Sequence, residues 1–157
     1  GSLISGAILW YFRMTLQEVV AIVSFIPVIA AMGGKVGLPS STLIIRGLAT
    51  GVVELSDVRT VFFREVKVGL LMGLACGVML TLVGWAWHQA FLGMVVGTSL
   101  VIAFLVSTSM ATIMPVVLKR MGFDPAVAAG PFVPTANDIT GITIYLSLAT
   151  LFLDHLR

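Results

Sequence analysis

The chain has 157 residues, of which 59% are hydrophobic and only 10% charged, with a net charge of +2. A soluble domain carries about 25% charged residues, so this composition excludes one and requires an integral membrane protein. The single cysteine, Cys76, lies inside an apolar run, which excludes a disulfide framework or a cysteine metal cluster within one chain, and no nucleic-acid signature is present.

The apolar segments run on for about 20 residues and read as helices, since barrel strands would alternate polar and apolar over about 10. Gly1-Ser2 reads as a cleavage remnant. Residues 3–12 are apolar but reach only roughly 15 Å as a helix. They are expected to be a partial span whose start has been removed, with an interfacial piece as the other reading. Arg13 to Glu18 is a polar break. Residues 19–50 contain Pro27, then Gly33, Gly34, Gly37 and Pro39, and then Ser40, Ser41 and Thr42. Glycine and proline at this density argue for a broken helix, of the kind transporters place at ion sites, where freed carbonyls face the ion. An interfacial loop between two short helices is the alternative.

The next span, 61–88, opens with a charged, amphipathic stretch and carries Gly69, Gly73 and Gly77 at four-residue spacing, a stripe that lets another helix approach closely. Trp85, Trp87 and His88 mark its interfacial end. The span 91–118 follows a short turn and carries Gly93, Gly97, the patch Ser107-Thr108-Ser109, and Pro115; its hydroxyls are expected to bond back to their own backbone. Asp124 before Pro125 is a helix start, with the aspartate as cap. The last span, 125–153, meets Gly130-Pro131 and Pro134 and is expected to bend or break there.

This last span holds Asp138. There are seven Asp and Glu in the chain, and Glu18, Glu54, Asp57, Glu65, Asp124 and Asp154 all lie near the ends of apolar segments or between them. Asp138 alone lies within one. A carboxylate in hydrocarbon costs several kcal/mol and by default marks an ion path or a bundle interior. Helical periodicity puts Asn137, Asp138, Gly141 and Tyr145 on one face, with Thr140 and Thr143 on the other. No second acidic group at that depth and no nucleophile–base pair accompanies it, so the chain reads as a non-enzyme. The basic loop residues Arg46, Arg59, Arg64, Lys67, Lys119 and Arg120 fall on one side, against Arg13 and Arg157 on the other. The loops near Arg59 and Lys119 are therefore expected to be cytoplasmic and the C-terminus outside.

These pieces together resemble the membrane domain of the MgtE family of magnesium transporters and channels. The resemblance rests on Gly33-Gly34 with Gly37, Ser41 to Thr50, Lys67 to Gly73, Asp124-Pro125, Gly130-Pro131-Phe132, and Thr135 to Gly141, in that order. It implies an all-α, five-span membrane domain with broken pore-lining helices, forming a homodimer in the plasma (inner) membrane. It also implies a pore at the dimer interface lined by the second and fifth spans. The family's aspartate in the fifth span matches Asp138, which binds Mg²⁺ largely through the ion's water shell. Asn137 and Thr135 are further metal-site candidates, and Gly33, Gly34, Lys35, Gly37, Ser41, Gly141 and Tyr145 are expected to line the pore. Mg²⁺ is the transported ion, with no organic cofactor and membrane lipid as the surroundings. The family usually has an asparagine after the first glycine pair and further amides after the third glycine; this chain has Lys35, Leu38 and Pro39 there. The family's cytoplasmic Mg²⁺-sensing domains are absent from this sequence, which is either a membrane-domain fragment or a short paralogue. Two rival functions follow: transport of another divalent ion, or exchange through a Lys35–Asp138 pair, on the same fold; and a non-conducting membrane scaffold.

Overall fold

A computed structural model describes residues 1–52, 57–126 and 132–152. Its helices are α1 (Ser2–Tyr11), α2 (Arg13–Glu18), α3 (Ala21–Thr50), α4 (Val58–Ala86), α5 (Ala90–Arg120) and α6 (Val133–Leu151). Among the described residues there is no strand, as expected for a chain that must satisfy its backbone groups inside a bilayer. Among the described residues, three helices, α3, α4 and α5, are long and apolar enough to cross a membrane. The apolar α1 has 10 residues and α6 has 19.

Side-chain contacts fix the direction of each helix. Tyr145 reaches Ile22, while Gly141 lies beside Ile29 and Gly37 beside Asn137, so α3 and α6 run antiparallel. Gly37 also meets Ser107 and Ala111 of α5, and Lys119 reaches Leu48, so α3 and α5 run parallel. Gly69, Gly77 and Gly84 of α4 oppose Thr108, Gly97 and Gly93 of α5 in reverse order. Gly1 lies against Thr135 and Thr15 bonds Thr150, so the α1–α2 stretch runs alongside α6. Successive long segments thus alternate in direction.

The α4–α5 seam follows the glycine stripe. A Cβ on Gly77 would come within 2.8 Å of the Gly97 carbonyl oxygen, and one on Gly73 within 3.0 Å of the Val101 Cα. Only glycine permits so close an approach. The Thr81 hydroxyl lies 2.8 Å from the Gly77 carbonyl and 3.2 Å from that of Gly93, a polar stitch across the seam. In α5, Thr108 bonds back to Phe104 at 2.9 Å and Ser109 to Leu105 at 2.7 Å, as expected.

The main core gathers Ile22, Phe25 and Ile29 of α3, Val96, Leu100 and Phe104 of α5, and Ile142, Tyr145 and Leu146 of α6. The helix α5 sits at the centre, packed by α3, α4 and α6. Trp85 and Trp87 remain exposed at the short turn into α5.

Two expectations need correction. The break expected within 19–50 is absent: α3 is one helix of 30 residues with Pro27 and Pro39 inside it. Each proline removes one backbone donor, whereas a break in hydrocarbon would orphan several groups at once. Gly37 instead serves close packing, since a Cβ there would meet Asn137 Nδ2 at 2.7 Å, Ser107 Oγ at 2.8 Å and Ala111 Cβ at 3.0 Å. The polar stretch Arg13–Glu18 is likewise a helix, of 6 residues. It keeps the backbone bonded across the junction through Leu16 N to Phe12 O at 3.2 Å, and the extended Val19 ends it.

Asp124 Oδ1 accepts from the Ala126 amide at 2.8 Å, and the helix expected to start at Asp124 runs into residues outside the described ones. The expected break at Gly130-Pro131 lies outside the described residues, and Pro134 stands in the first turn of α6, where its missing donor is harmless.

Candidate ion site

The site is built on the N-terminal half of α6, where successive residues turn to different neighbours. Asn137, Gly141 and Tyr145, four residues apart, face inward and are all buried. Asp138 stands one position round the helix and opens onto a cleft of about 440 Å³. Thr135 and Ile142 of α6, Ala30 of α3, and Ser5, Gly6 and Leu9 of α1 also line it. The contact of Gly37 with Asn137 puts this region level with the middle of α3, far from either helix end.

Asp138 is half-buried, and among the described residues its carboxylate has no ion-pair or hydrogen-bond partner. Thr135 brings a hydroxyl to the same cleft. No group of three His, Cys, Asp or Glu side chains comes together among the described residues. The arrangement within one chain is therefore a single carboxylate flanked by hydroxyls. Such a set suits a hydrated hard cation held at its water shell, since Mg²⁺ keeps several waters and takes one or two carboxylates.

The structure separates the remaining sequence candidates. Asn137 does not share the Asp138 cleft; it is 2% exposed, and neither of its amide atoms has a partner. Ser41 is fully buried, with its hydroxyl also unpartnered. Tyr145 is a core residue whose hydroxyl donates to the Ile22 carbonyl at 2.9 Å. Gly141 is buried beside Ile29, and Gly37 is packed against α5 and α6. Gly33 and Gly34 are helical within α3. Lys35 is exposed, and two residues of helical turn put it on the side of α3 away from Gly37 and its contacts. Lys35 and Asp138 form no ion pair among the described residues.

Sequence reasoning set α1 aside as a fragment and so missed its part in the cleft. The signal was present in Ser2, Ser5, Gly6 and Leu9, whose spacing puts small and polar residues on one helical face toward α6.

With that geometry in hand, comparison with known proteins gives a consistent result. A family profile described as "MgtE: Divalent cation transporter" matches residues 26–148. A protein of Bacillus subtilis named "Magnesium transporter MgtE" is 37% identical over 155 residues, covering 98% of this chain and 34% of the relative. A protein of the same name from Thermus thermophilus is 41% identical over 153 residues, covering 97% of this chain and 34% of the relative. One from Enterococcus faecalis is 30% identical over 145 residues, covering 92% and 32%. The chain thus spans about a third of the length of these relatives.

Proposed function

This chain belongs to the MgtE family, and from that premise we propose that it carries divalent cations, Mg²⁺ before others, across a membrane as a homodimer of five-pass protomers. The two passes beyond α3, α4 and α5 are the α1–α2 stretch and α6, whose directions continue the alternation. The end that carries Arg59 and Lys119 faces the cytoplasm under this reading, as the positive charge bias requires.

The observation that carries the proposal is Asp138. A carboxylate without a partner among the described residues, on a cleft level with the middle of an apolar helix, is costly to keep unless an ion uses it. A twofold axis would bring a second copy of the same carboxylate toward the ion. The pair would act as acceptors from the water bound to Mg²⁺, and Thr135 would add a hydroxyl. Asn137 is assigned a supporting place behind Asp138, because its amide is shut inside the protomer. The helix α3 contributes a wall that is continuous through Gly33 to Gly37, where Pro39 takes the helical donor only from the Lys35 carbonyl. Lys35 points away from its own chain's cleft, so a Lys35–Asp138 exchange site would require the partner's lysine.

The test is divalent-ion flux into proteoliposomes, comparing Mg²⁺, Mn²⁺ and Ca²⁺ for the wild type and Asp138→Asn. Mg²⁺ flux in the wild type, lost in the variant, is the expected result. Flux of Mn²⁺ alone would move the assignment to another divalent ion. Absence of any flux from wild-type protein that is folded and dimeric would favour the scaffold role.

A further inference from the structure

The basic end of the molecule holds a second cavity, of about 330 Å³, between the last turns of α3 and the first turns of α4. It is remote from Asp138 in chain and in depth: Asp138 lies level with mid-α3, while this cavity is lined by residues from Leu43 to Val52 on one side and Val61 to Glu65 on the other. Arg46 and Arg64 enter it from opposite walls. Both are exposed, and neither guanidinium has a carboxylate partner among the described residues.

Among the described residues, the one carboxylate lining this cavity is Glu65, and it is turned inward. It is 8% exposed and accepts a hydrogen bond from the Ser40 hydroxyl, so it serves the α3–α4 contact. What remains facing out is cationic and apolar together, because Leu43 is 61% exposed and Val52 78% exposed on the same rim. Lys67 lies one turn beyond Arg64, and Lys119 is held close by its bond to the Leu48 carbonyl at 2.8 Å.

We propose that Arg46 and Arg64 form a headgroup site for an anionic phospholipid, with the phosphodiester between the two guanidiniums and the acyl chains running down past Leu43 along the apolar surface. Three observations lead to this occupant. Two planar guanidinium forks on facing walls match the oxygens of a phosphate group. Exposed apolar residues beside them serve an amphipathic ligand and would be of no use to a free anion. The cavity lies where the apolar helices give way to charged residues, at the level of lipid headgroups, and basic pockets between spans at that level take anionic lipid. The site is independent of ion conduction and goes beyond the transport reading.

The experiment is native mass spectrometry of the detergent-solubilised full chain with phosphatidylglycerol or phosphatidylcholine at equal concentration. Wild-type protein is expected to retain phosphatidylglycerol preferentially. Removing each arginine should lower retention about fivefold, and both together about thirtyfold, so R46Q, R64Q and the double variant form a graded series. The charge-conserving pair R46K/R64K should bind between the wild type and the double glutamine variant, because it keeps the charge and loses the planar forks. Both side chains are exposed and should tolerate substitution, and the single variants supply the answer if the double variant is not monodisperse. Equal retention of the two lipids by the wild type would overturn the proposal, as would a double variant that binds like the wild type. Full displacement of phosphatidylglycerol by millimolar inorganic phosphate would also overturn it, by showing a site for the free anion.

Discussion

The two sides of α5 solve the same assembly problem by opposite means. Against α4 it presents glycine to glycine, and the seam is close, with Thr81 and Thr108 as the polar side chains packed in it. Against α3 and α6 it meets large apolar side chains, but with polar groups among them: Ser107 beside Gly37 and Asn137, and Ser41 and Asn137 buried without partners. In a bilayer, apolar burial gives little drive to helix association, so close van der Waals contact does most of that work. The α4–α5 seam is that solution without additions. The α3–α5–α6 junction gives up some of that closeness to hold polar atoms next to the segment that carries Asp138, and buried polar atoms without partners cost stability.

The comparison breaks first if the seam tolerates bulk. Gly77→Leu would drive its Cβ to 2.8 Å from the Gly97 carbonyl oxygen and 3.2 Å from Val101 Cγ2. Backbone cannot move aside as a flexible side chain can, so the helices must separate along the stripe. The expected loss is about 3 kcal/mol, at the upper end of overpacking effects, read as a lowered thermal or denaturant midpoint of the purified protein in detergent. A midpoint unchanged from wild type would mean that the seam is looser than its glycines require.

The polar junction should respond in the other direction. Asn137 keeps two amide atoms from water with no partner for either, so Asn137→Leu, of similar volume, is expected to stabilise by roughly 1–2 kcal/mol. Because Asn137 faces away from the Asp138 cleft, Mg²⁺ flux should stay within about twofold, which corresponds to less than half a kcal/mol. A tenfold loss of flux with unchanged stability would instead make Asn137 an ion ligand, as the sequence alone suggested.

That difference marks how far the sequence could be read. The membrane class, the helical fold, the glycine seam and the isolation of Asp138 are all legible, because each rests on composition or on spacing along one helix. Orientation about the helix axis is legible only to within a neighbouring position. Asn137 and Asp138 look equivalent on a helical wheel, and which one meets the cleft depends on where α1 and α3 pack. Glycine has a similar ambiguity: Gly33, Gly34 and Gly37 suit a broken backbone and a close helix crossing equally well, and only the neighbours of Gly37 decide for the crossing. The prolines mislead for a related reason, since a bilayer makes it costlier to abandon a helix than to tolerate one missing donor.

The smallest effect tests whether the polar junction holds one well-matched contact among its poorly matched ones. Tyr145 is fully buried, and its hydroxyl donates to the Ile22 carbonyl at 2.9 Å in the first turn of α3. That carbonyl lies just beyond the Val19–Val20 junction, and the tyrosine ties the start of α3 to α6 at the end of the bundle away from Lys119. Tyr145→Phe keeps the ring in the core and removes only the oxygen, so the loss should be about 1 kcal/mol. It should appear in the unfolding midpoint while Mg²⁺ flux is unaltered, because the ring stays packed and Asp138 lies nearly two turns away along α6. A stability loss above about 3 kcal/mol would exceed one neutral hydrogen bond, and would show that the hydroxyl holds a wider rearrangement of α3 against α6. A loss of flux at unchanged stability would put Tyr145 back on the ion path, and would erase the distinction between the buried face of α6 and the face that carries Asp138.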